Sequence, residues 1–225
     1  MTAFFVTATG TDIGKTFVTS GLIRAFKARG QNVTALKPVV SGYDFGQVQG
    51  SDPGALLEAL GQPLTEENVA RISPWRFGAA LSPDMAAARE GRVIDFGAIV
   101  DFTAQADADH TGIIFVEGVG GIMVPLAPPL TTLDWMIALG LPVILVTGNY
   151  LGAMSHTLSA VDVLTRSNLK CAALIVNESA ASTVPLTKTA ETLSRCLPEM
   201  PIICVPRLNE PSHPVFGLIA DVLET

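Results

Sequence analysis

Six short apolar runs rich in Val, Ile and Phe constrain this chain more than any other feature. They lie at residues 3–7, 32–36, 112–116, 142–147, 172–176 and 202–205. A strand with one wet face alternates apolar and polar side chains; these runs barely alternate, so each predicts a strand buried on both faces. Helix-forming stretches separate them, at 16–28, 55–60, 84–90, 96–106, 133–139, 153–167, 187–196 and 215–223. Alternation of this kind predicts an α/β fold, with right-handed crossovers and a mainly parallel sheet carrying helices on both faces. Ligands on such a sheet sit at the carboxyl ends of the strands.

The core such a fold needs is available, since 48% of the 225 residues are hydrophobic and 16% are charged. This excludes intrinsic disorder. At about 150 residues per domain, one domain spanning 1–225 is expected. Fourteen Lys and Arg against 21 Asp and Glu give a net charge of −7, with no basic block. Nucleic acid and anionic membranes are therefore poor partners. The longest apolar tract, from Met136 to Val146, contains Gly140 and Pro142. It is well short of the roughly 20 residues of a spanning helix. The opening MTAFFVTATG has no basic segment before its apolar residues, so it reads as a first strand rather than a leader. Three cysteines, Cys171, Cys196 and Cys204, lack C-x-x-C spacing. Reduced thiols and a cytoplasmic location are expected. No internal repeat or linker is visible, and the loop-rich segments 40–53 and 71–83 are expected to border an active site.

The sharpest motif runs Thr7-Ala8-Thr9-Gly10-Thr11-Asp12-Ile13-Gly14-Lys15-Thr16, leaving the first strand and opening a helix. A phosphate-binding loop needs converging backbone N–H groups, a Lys for the β- and γ-phosphates and a hydroxyl for Mg²⁺. Gly14, Lys15 and Thr16 supply these. The strict pattern would have Gly at position 9, where Thr9 stands. Glu117 closes the third apolar run ahead of Gly118-Val119-Gly120-Gly121, where a carboxylate can reach a phosphate-held Mg²⁺. No burial partner for it is apparent in the sequence. Asp52 fits either that metal or the plain role of a helix N-terminal carboxylate. Lys37, at the end of the second run, fits transition-state charge stabilisation or a solvated strand end. His156 reads as a packing or capping residue, His110 and His213 show no partners for chemistry, and the apolar stripe of 153–167 reads as core.

Taken in order, Thr11, Gly14-Lys15-Thr16, Lys37-Pro38-Val39-Val40-Ser41-Gly42, Asp52, Ser82-Pro83, Glu117-Gly118-Val119-Gly120-Gly121, Gly152 with Ser155-His156, and Asn177 resemble the dethiobiotin synthetase family. The resemblance runs from about residue 3 to 210 and implies a P-loop NTPase fold. It also implies an ATP-dependent cyclo-ligase that joins CO₂ to 7,8-diaminononanoate, with ATP as co-substrate and Mg²⁺ as cofactor. By position it makes Thr16, Asp52 and Glu117 the metal ligands, and Lys15, Lys37 and Thr11 the catalytic groups. Asp12, Ile13, Gly14, Lys15, Thr16, Phe17, Asn177, Pro206, Leu208 and Glu210 would bind the nucleotide. The diamine would meet Thr11, Lys37, Ser41, Gly118, Tyr150, Leu151, Gly152 and Ser155. The last four come from a neighbouring subunit in the proteins it resembles, which implies a two-fold homodimer with shared active sites.

The family loop usually begins Gly-Thr-Asp-Thr, where this chain has Ala8-Thr9-Gly10-Thr11. If the first position has φ > 0, Ala8 strains it by roughly 1 kcal/mol, relieved by a bend at Gly10. Three other readings compete. A partitioning or septum-positioning ATPase switch carries an early Lys in its phosphate loop, and positions 8 to 13 contain none. A cobyrinate-type amide ligase attaches a glutaminase domain, for which 225 residues leave no room. A nucleotide-binding module without activity is the third.

Overall fold

The computed structural model describes residues 2–109, 111–180 and 182–225. The first half of the chain forms β1 (Thr2–Ala8), α1 (Lys15–Ala28), β2 (Val33–Leu36), β3 (Val39–Ser41), α2 (Asp52–Leu60), α3 (Glu66–Ile72), β4 (Trp75–Phe77), α4 (Pro83–Arg89) and α5 (Phe96–Asp109). There follow β5 (Ile113–Glu117), β6 (Pro125–Ala127), β7 (Leu130–Thr131), α6 (Thr132–Leu139), β8 (Val143–Thr147), α7 (Ala153–Arg166), β9 (Cys171–Asn177), α8 (Leu186–Cys196), β10 (Ile202–Val205) and α9 (Val215–Leu223).

The six expected strands form one sheet in the order β10-β9-β8-β1-β5-β2. Every pairing in it is parallel. Both faces are covered, as the unbroken apolar runs require. Phe4 and Val6 of β1 pack into one core with Phe26, Phe115, Ile144 and Phe216. Their neighbours Ala3 and Phe5 point the other way, into a second core with Phe77, Ile99, Trp135 and Leu145. The two-residue period of a strand thus divides one apolar run between two cores. Phe5 meets Trp135 edge-to-face at 4.9 Å, and truncating either to Ala would cost about 3–5 kcal/mol.

The segments 40–53 and 71–83 are less irregular than expected. Three-residue β3 and β4 pair in parallel within them, Val39 opposite Trp75 and Ser41 opposite Phe77. They escape a periodicity reading because three residues do not establish a period. Between them α3 is also unforeseen; only Val69 and Ile72 of its seven residues are buried. Ser51 caps α2, its Oγ accepting from Gly54 N at 3.1 Å, and Asp52 is the first residue of that helix. The α2 N-terminus lies beside the carboxyl end of β2, with Asp52 Oδ2 3.3 Å from Nζ of Lys37, the residue that follows β2.

Ala8 is not strained. It is the last residue of β1 and fully buried. The positive φ values of the phosphate loop fall later, at Asp12 (56°) and Gly14 (98°), and Gly10 has none. The loop's left-handed turn lies next to the helix it feeds, not at the strand end.

Candidate active site

The carboxyl ends of all six parallel strands lie along one edge of the sheet, and a cleft of about 840 Å³ opens there. The phosphate loop lines it through Thr11, Asp12, Gly14, Lys15, Thr16 and Phe17. Lys37, Val40, Ser41, Gly42 and Asp52 form another wall; Ala80, Leu81, Ser82, Pro83, Val119, Gly120 and Val124 complete it. Both anticipated loop segments therefore border the site.

Its centre is a charge cluster. Lys37 is 2% exposed and donates through Nζ to Glu117 Oε1 at 2.6 Å and to Gly118 O at 3.3 Å. The same Nζ lies 3.3 Å from Asp52 Oδ2. Lys37 is thus no solvated strand end, and Glu117, itself fully buried, has the burial partner its sequence context did not reveal. Thr16 Oγ1 donates to the same Glu117 Oε1 at 2.6 Å. Asp52 has the helix N-terminal place expected of it, opening α2, and in addition faces Lys37.

Burial alone would push the Lys37 ammonium down, but Glu117 and Asp52 outweigh it and hold Lys37 above its ordinary value. For Asp52, partial desolvation works upward; Lys37 and the Thr16 hydroxyl prevail and keep the carboxyl below the usual carboxylate range. Lys15 has no such carboxylate in contact; its Nζ donates to Gly10 O at 3.3 Å. Burial, with Lys37 nearby, lowers it to about 8.

Glu117 Oε2 is buried with no hydrogen-bond partner, and Ser41 Oγ is likewise unpartnered. An orphaned carboxylate oxygen beside a second carboxylate and a Thr hydroxyl fits a hard divalent cation that takes one or two carboxylates and completes its shell with phosphate and water. Among the described residues no group of three or more His, Cys, Asp or Glu gathers that could hold a metal by itself, so a cation here would rest on Asp52, Glu117 and the Thr16 hydroxyl together with phosphate and water.

Ile13 O accepts from Asn177 Nδ2 at 2.9 Å, which places Asn177 at the back of the phosphate loop. A Cβ on Gly14 would collide with that amide, so Gly14 is required by close approach as well as by its φ. Pro206 and Leu208 follow β10 outside the cleft; Arg207 N between them donates to Glu178 Oε2 at 2.7 Å, and Glu210 is exposed. Tyr150, Leu151, Gly152 and Ser155 do not line the cleft. They follow β8 on the same sheet edge, with Leu151 91% exposed. His156 is exposed and packs only against Tyr150, ring centres 5.8 Å apart, with its Nδ1 2.9 Å from Tyr150 Oη. His213 accepts from Val215 N at 3.2 Å at the start of α9, and His110 lies outside the described residues. The apolar stripe of α7, Ala153, Ala160, Val161 and Leu164, is core as expected.

Sequence reasoning missed a second cluster. Glu66 Oε1 accepts from Tyr43 Oη and Gly46 N, both at 2.9 Å, and Arg76 Nη1 donates to Glu66 Oε2 at 2.5 Å. The Arg76 guanidinium stacks 5.3 Å from the Tyr43 ring centre. These contacts pin the segment between Ser41 and Asp52. The alternation Tyr43-Asp44-Phe45 was the only signal available, and it does not name its partners.

Residues 2–214 match the family described as AAA domain. An ATP-dependent dethiobiotin synthetase of Acidiphilium cryptum is 47% identical over 89% of this chain and 91% of its own length. That of Phenylobacterium zucineum is 45% identical over 92% and 89%, and that of Legionella pneumophila strain Paris 38% over 79% and 80%. Among solved structures, the septum site-determining protein MinD of Pyrococcus horikoshii superposes with TM-score 0.59 at 14% identity, over 100% of this chain and 96% of that one. A ParA family ATPase of Chlorobium tepidum reaches 0.56 at 13%, over 99% and 90%. The last two share the P-loop NTPase fold alone, whereas the first three share the sequence along most of its length. The chain belongs to the ATP-dependent dethiobiotin synthetase family.

Proposed function

We propose that this chain is a dethiobiotin synthetase, closing a cyclic urea on 7,8-diaminononanoate with CO₂ and ATP and releasing ADP and phosphate. It would act as one domain in the cytoplasm, as a homodimer that shares its active sites. The observation that carries this reading is the convergence of Lys15, Thr16, Lys37, Asp52 and Glu117 at one cleft, in a chain 47% identical to a named synthetase.

The reaction has three bond changes. One amine bonds to CO₂ and loses a proton, giving a carbamate. A carbamate oxygen then attacks the γ-phosphorus as the bond to ADP breaks, giving a carbamic–phosphoric mixed anhydride. Finally the second amine attacks the carbonyl carbon, loses its proton, and expels phosphate. Negative charge builds or moves at each step, so fixed cations and N–H dipoles are the groups required.

Lys15 and the loop amides after Gly10 would hold the β- and γ-phosphates. Lys37 would neutralise the carbamate and the transferring phosphoryl group, with Thr11 and Ser41 bordering the diamine. The unpartnered, buried Ser41 Oγ suits an amine, since a hydroxyl can accept from it. Thr16, Asp52 and Glu117 would hold Mg²⁺, which would supply positive charge against the phosphates. Asn177, Pro206, Leu208 and Glu210 would border the purine and ribose, with Glu178 fixing that loop through Arg207 N.

The distal carboxylate of the diamine lies roughly 8–10 Å from its amines on extended-chain geometry. The N-terminus of α7 offers free N–H groups and a positive dipole end for it. That residues 150–155 stand outside the cleft of their own chain, with Leu151 and Met154 exposed, supports their service to a partner. The test is incubation with 7,8-diaminononanoate, bicarbonate, Mg²⁺ and ATP, with dethiobiotin detected by mass. Product in wild type, and none in folded Lys15→Ala, is expected; absence of product from wild type overturns the reading.

A further inference from the structure

A row of three threonine hydroxyls runs from the phosphate loop into the first turn of α7. Thr9 Oγ1 lies 3.1 Å from Thr147 Oγ1, Thr147 Oγ1 lies 2.7 Å from Thr157 Oγ1, and Thr157 Oγ1 donates to Ala153 O at 2.6 Å. Thr147 and Thr157 are fully buried. Thr147 ends β8, and the neighbouring strand β1 leads directly to Thr9, whose backbone N donates to Val146 O at 3.0 Å.

The proton positions in this row follow from its last member. A carbonyl oxygen only accepts, so the single proton of Thr157 is committed to Ala153 O. The short contact to Thr147 then requires Thr147 to donate to Thr157. With that proton spent, Thr9 must donate to Thr147. The row is therefore polarised in one direction, from the phosphate loop toward α7, and Thr9 has no proton left for a phosphate oxygen. Its hydroxyl serves the interior of the protein and not the nucleotide.

We infer that Thr147 is a positioning residue that ties the phosphate loop of a chain to the N-terminus of its own α7, coupling the nucleotide bound by that chain to the diamine end that this helix offers its neighbour. The inference rests on the proposed function for what those two ends bind, but the tie itself is a matter of three hydroxyls. Ordering of the loop by nucleotide would reach Ala153 through Thr9, Thr147 and Thr157. By symmetry, both chains of a dimer would carry the tie, each ordering the helix end it lends to its neighbour.

The experiment compares Thr147→Val, which keeps shape and loses the hydroxyl, with Thr147→Ser, which keeps the hydroxyl. Binding of Mg²⁺ with a non-hydrolysable ATP analogue is followed by calorimetry, and by hydrogen exchange of the backbone amides of residues 153–157 in the same samples. Wild type and Thr147→Ser should gain protection there on binding the analogue. Thr147→Val should lose at least about fivefold of that gain, the factor expected for one net hydrogen bond, since its hydroxyl makes two. In turnover, Thr147→Val should raise KM for the diamine about fivefold with kcat within twofold, whereas simple destabilisation would lower the active fraction and hence apparent kcat. Equal protection in wild type and Thr147→Val, or bound analogue with no protection in wild type, overturns the inference while leaving the phosphate site intact. A wild type that binds no analogue in the calorimeter takes down the nucleotide reading itself, and this inference with it.

Discussion

The two ends of the proposed ternary site are held by different physics. At the phosphate end, a buried Lys37 sits against buried Glu117 and half-exposed Asp52, so position is set by charge in a desolvated pocket. At the α7 end, residues 150–155 contain no charged side chain, and position is set by neutral hydroxyls behind an exposed loop. The first arrangement stakes stability on function; the second separates them. Removing one member of a buried ion pair leaves the other uncompensated, at about 3–5 kcal/mol. Substitution on an exposed loop typically stays within about 0.5 kcal/mol.

The largest expected effect follows from that contrast. Lys37→Met should lower kcat on the order of 10²–10³-fold, the range for removing a preorganised charge-stabilising group. It should also lower the unfolding free energy read from urea titration by about 3 kcal/mol or more, because Glu117 is left buried alone. Adding Glu117→Gln to Lys37→Met should restore part of that stability and none of the rate. Unchanged stability of Lys37→Met in urea titration would break the comparison at its first term.

Metal dependence ranks next. Glu117→Gln should raise the Mg²⁺ concentration for half-maximal rate on the order of tenfold or more, with partial rescue at high Mg²⁺. Asp52→Asn should do so by less, because the Asp52 side chain is 53% exposed and water can replace it. A rate titration with Mg²⁺ reads both. Identical Mg²⁺ dependence in wild type and both variants would return the carboxylates to a purely structural part.

A smaller and cleaner effect is expected at the other end. Leu151→Asp leaves the monomer's core untouched, since Leu151 is 91% exposed. It should halve the mass seen by light scattering and raise KM for the diamine about tenfold, with the unfolding free energy of the fold changed by no more than about 0.5 kcal/mol. An unchanged mass and KM would remove the shared-site arrangement. Complementation sharpens it: a Lys15→Ala chain mixed with a chain blocked at Gly152 by a bulky residue should regain activity through hybrid sites.

The same division governs what was legible in the sequence. All six strands of the sheet could be read, because a strand buried on both faces is continuously apolar whatever surrounds it. The pair β3 and β4 could not, since three residues beside Pro38 and Pro74 carry no period. Lys15 and Thr16 were readable because their chemistry depends on local loop geometry. That Lys37 is buried was not, because a Lys before a proline at a strand end looks solvated until residues 15 and 80 positions away supply Asp52 and Glu117. Thr147 was the least legible, as threonine is an ordinary strand residue and only Thr9 and Thr157 together make its hydroxyl informative.

The two ends should also differ in response to pH, which is the subtlest of the expected effects. Glu66, which pins the segment leading to Asp52, has its carboxyl held below the usual range by Gly46 N, then by Tyr43 and Arg76. A depressed carboxylate contributes stability that is fully present above its unfolded value of 4.5 and fades as pH falls through the folded value. Acid should therefore loosen the phosphate end first, lowering amide protection, relative to intrinsic exchange, at residues 43–52 before residues 153–155, and Glu66→Gln should flatten that difference. On the alkaline side, Lys15 titrates near 8 in metal-free protein because it is buried beside Lys37. A lysine whose folded value lies below its unfolded value of 10.5 costs stability while charged, so the fold itself does not weaken as pH rises through 8. What weakens is anion binding: affinity for ADP without metal should fall above pH 8 in wild type and stay level in Lys15→Arg, whose guanidinium remains charged. Protection of the amides of residues 153–155 in the nucleotide-free protein, taken relative to their intrinsic exchange rate at each pH, should not change across the same range, because the Thr9, Thr147 and Thr157 hydroxyls that hold this end have nothing to titrate. Parallel loosening of both ends at either extreme of pH would mean that charge and hydroxyl networks are not separable, and the contrast between the two ends would fail.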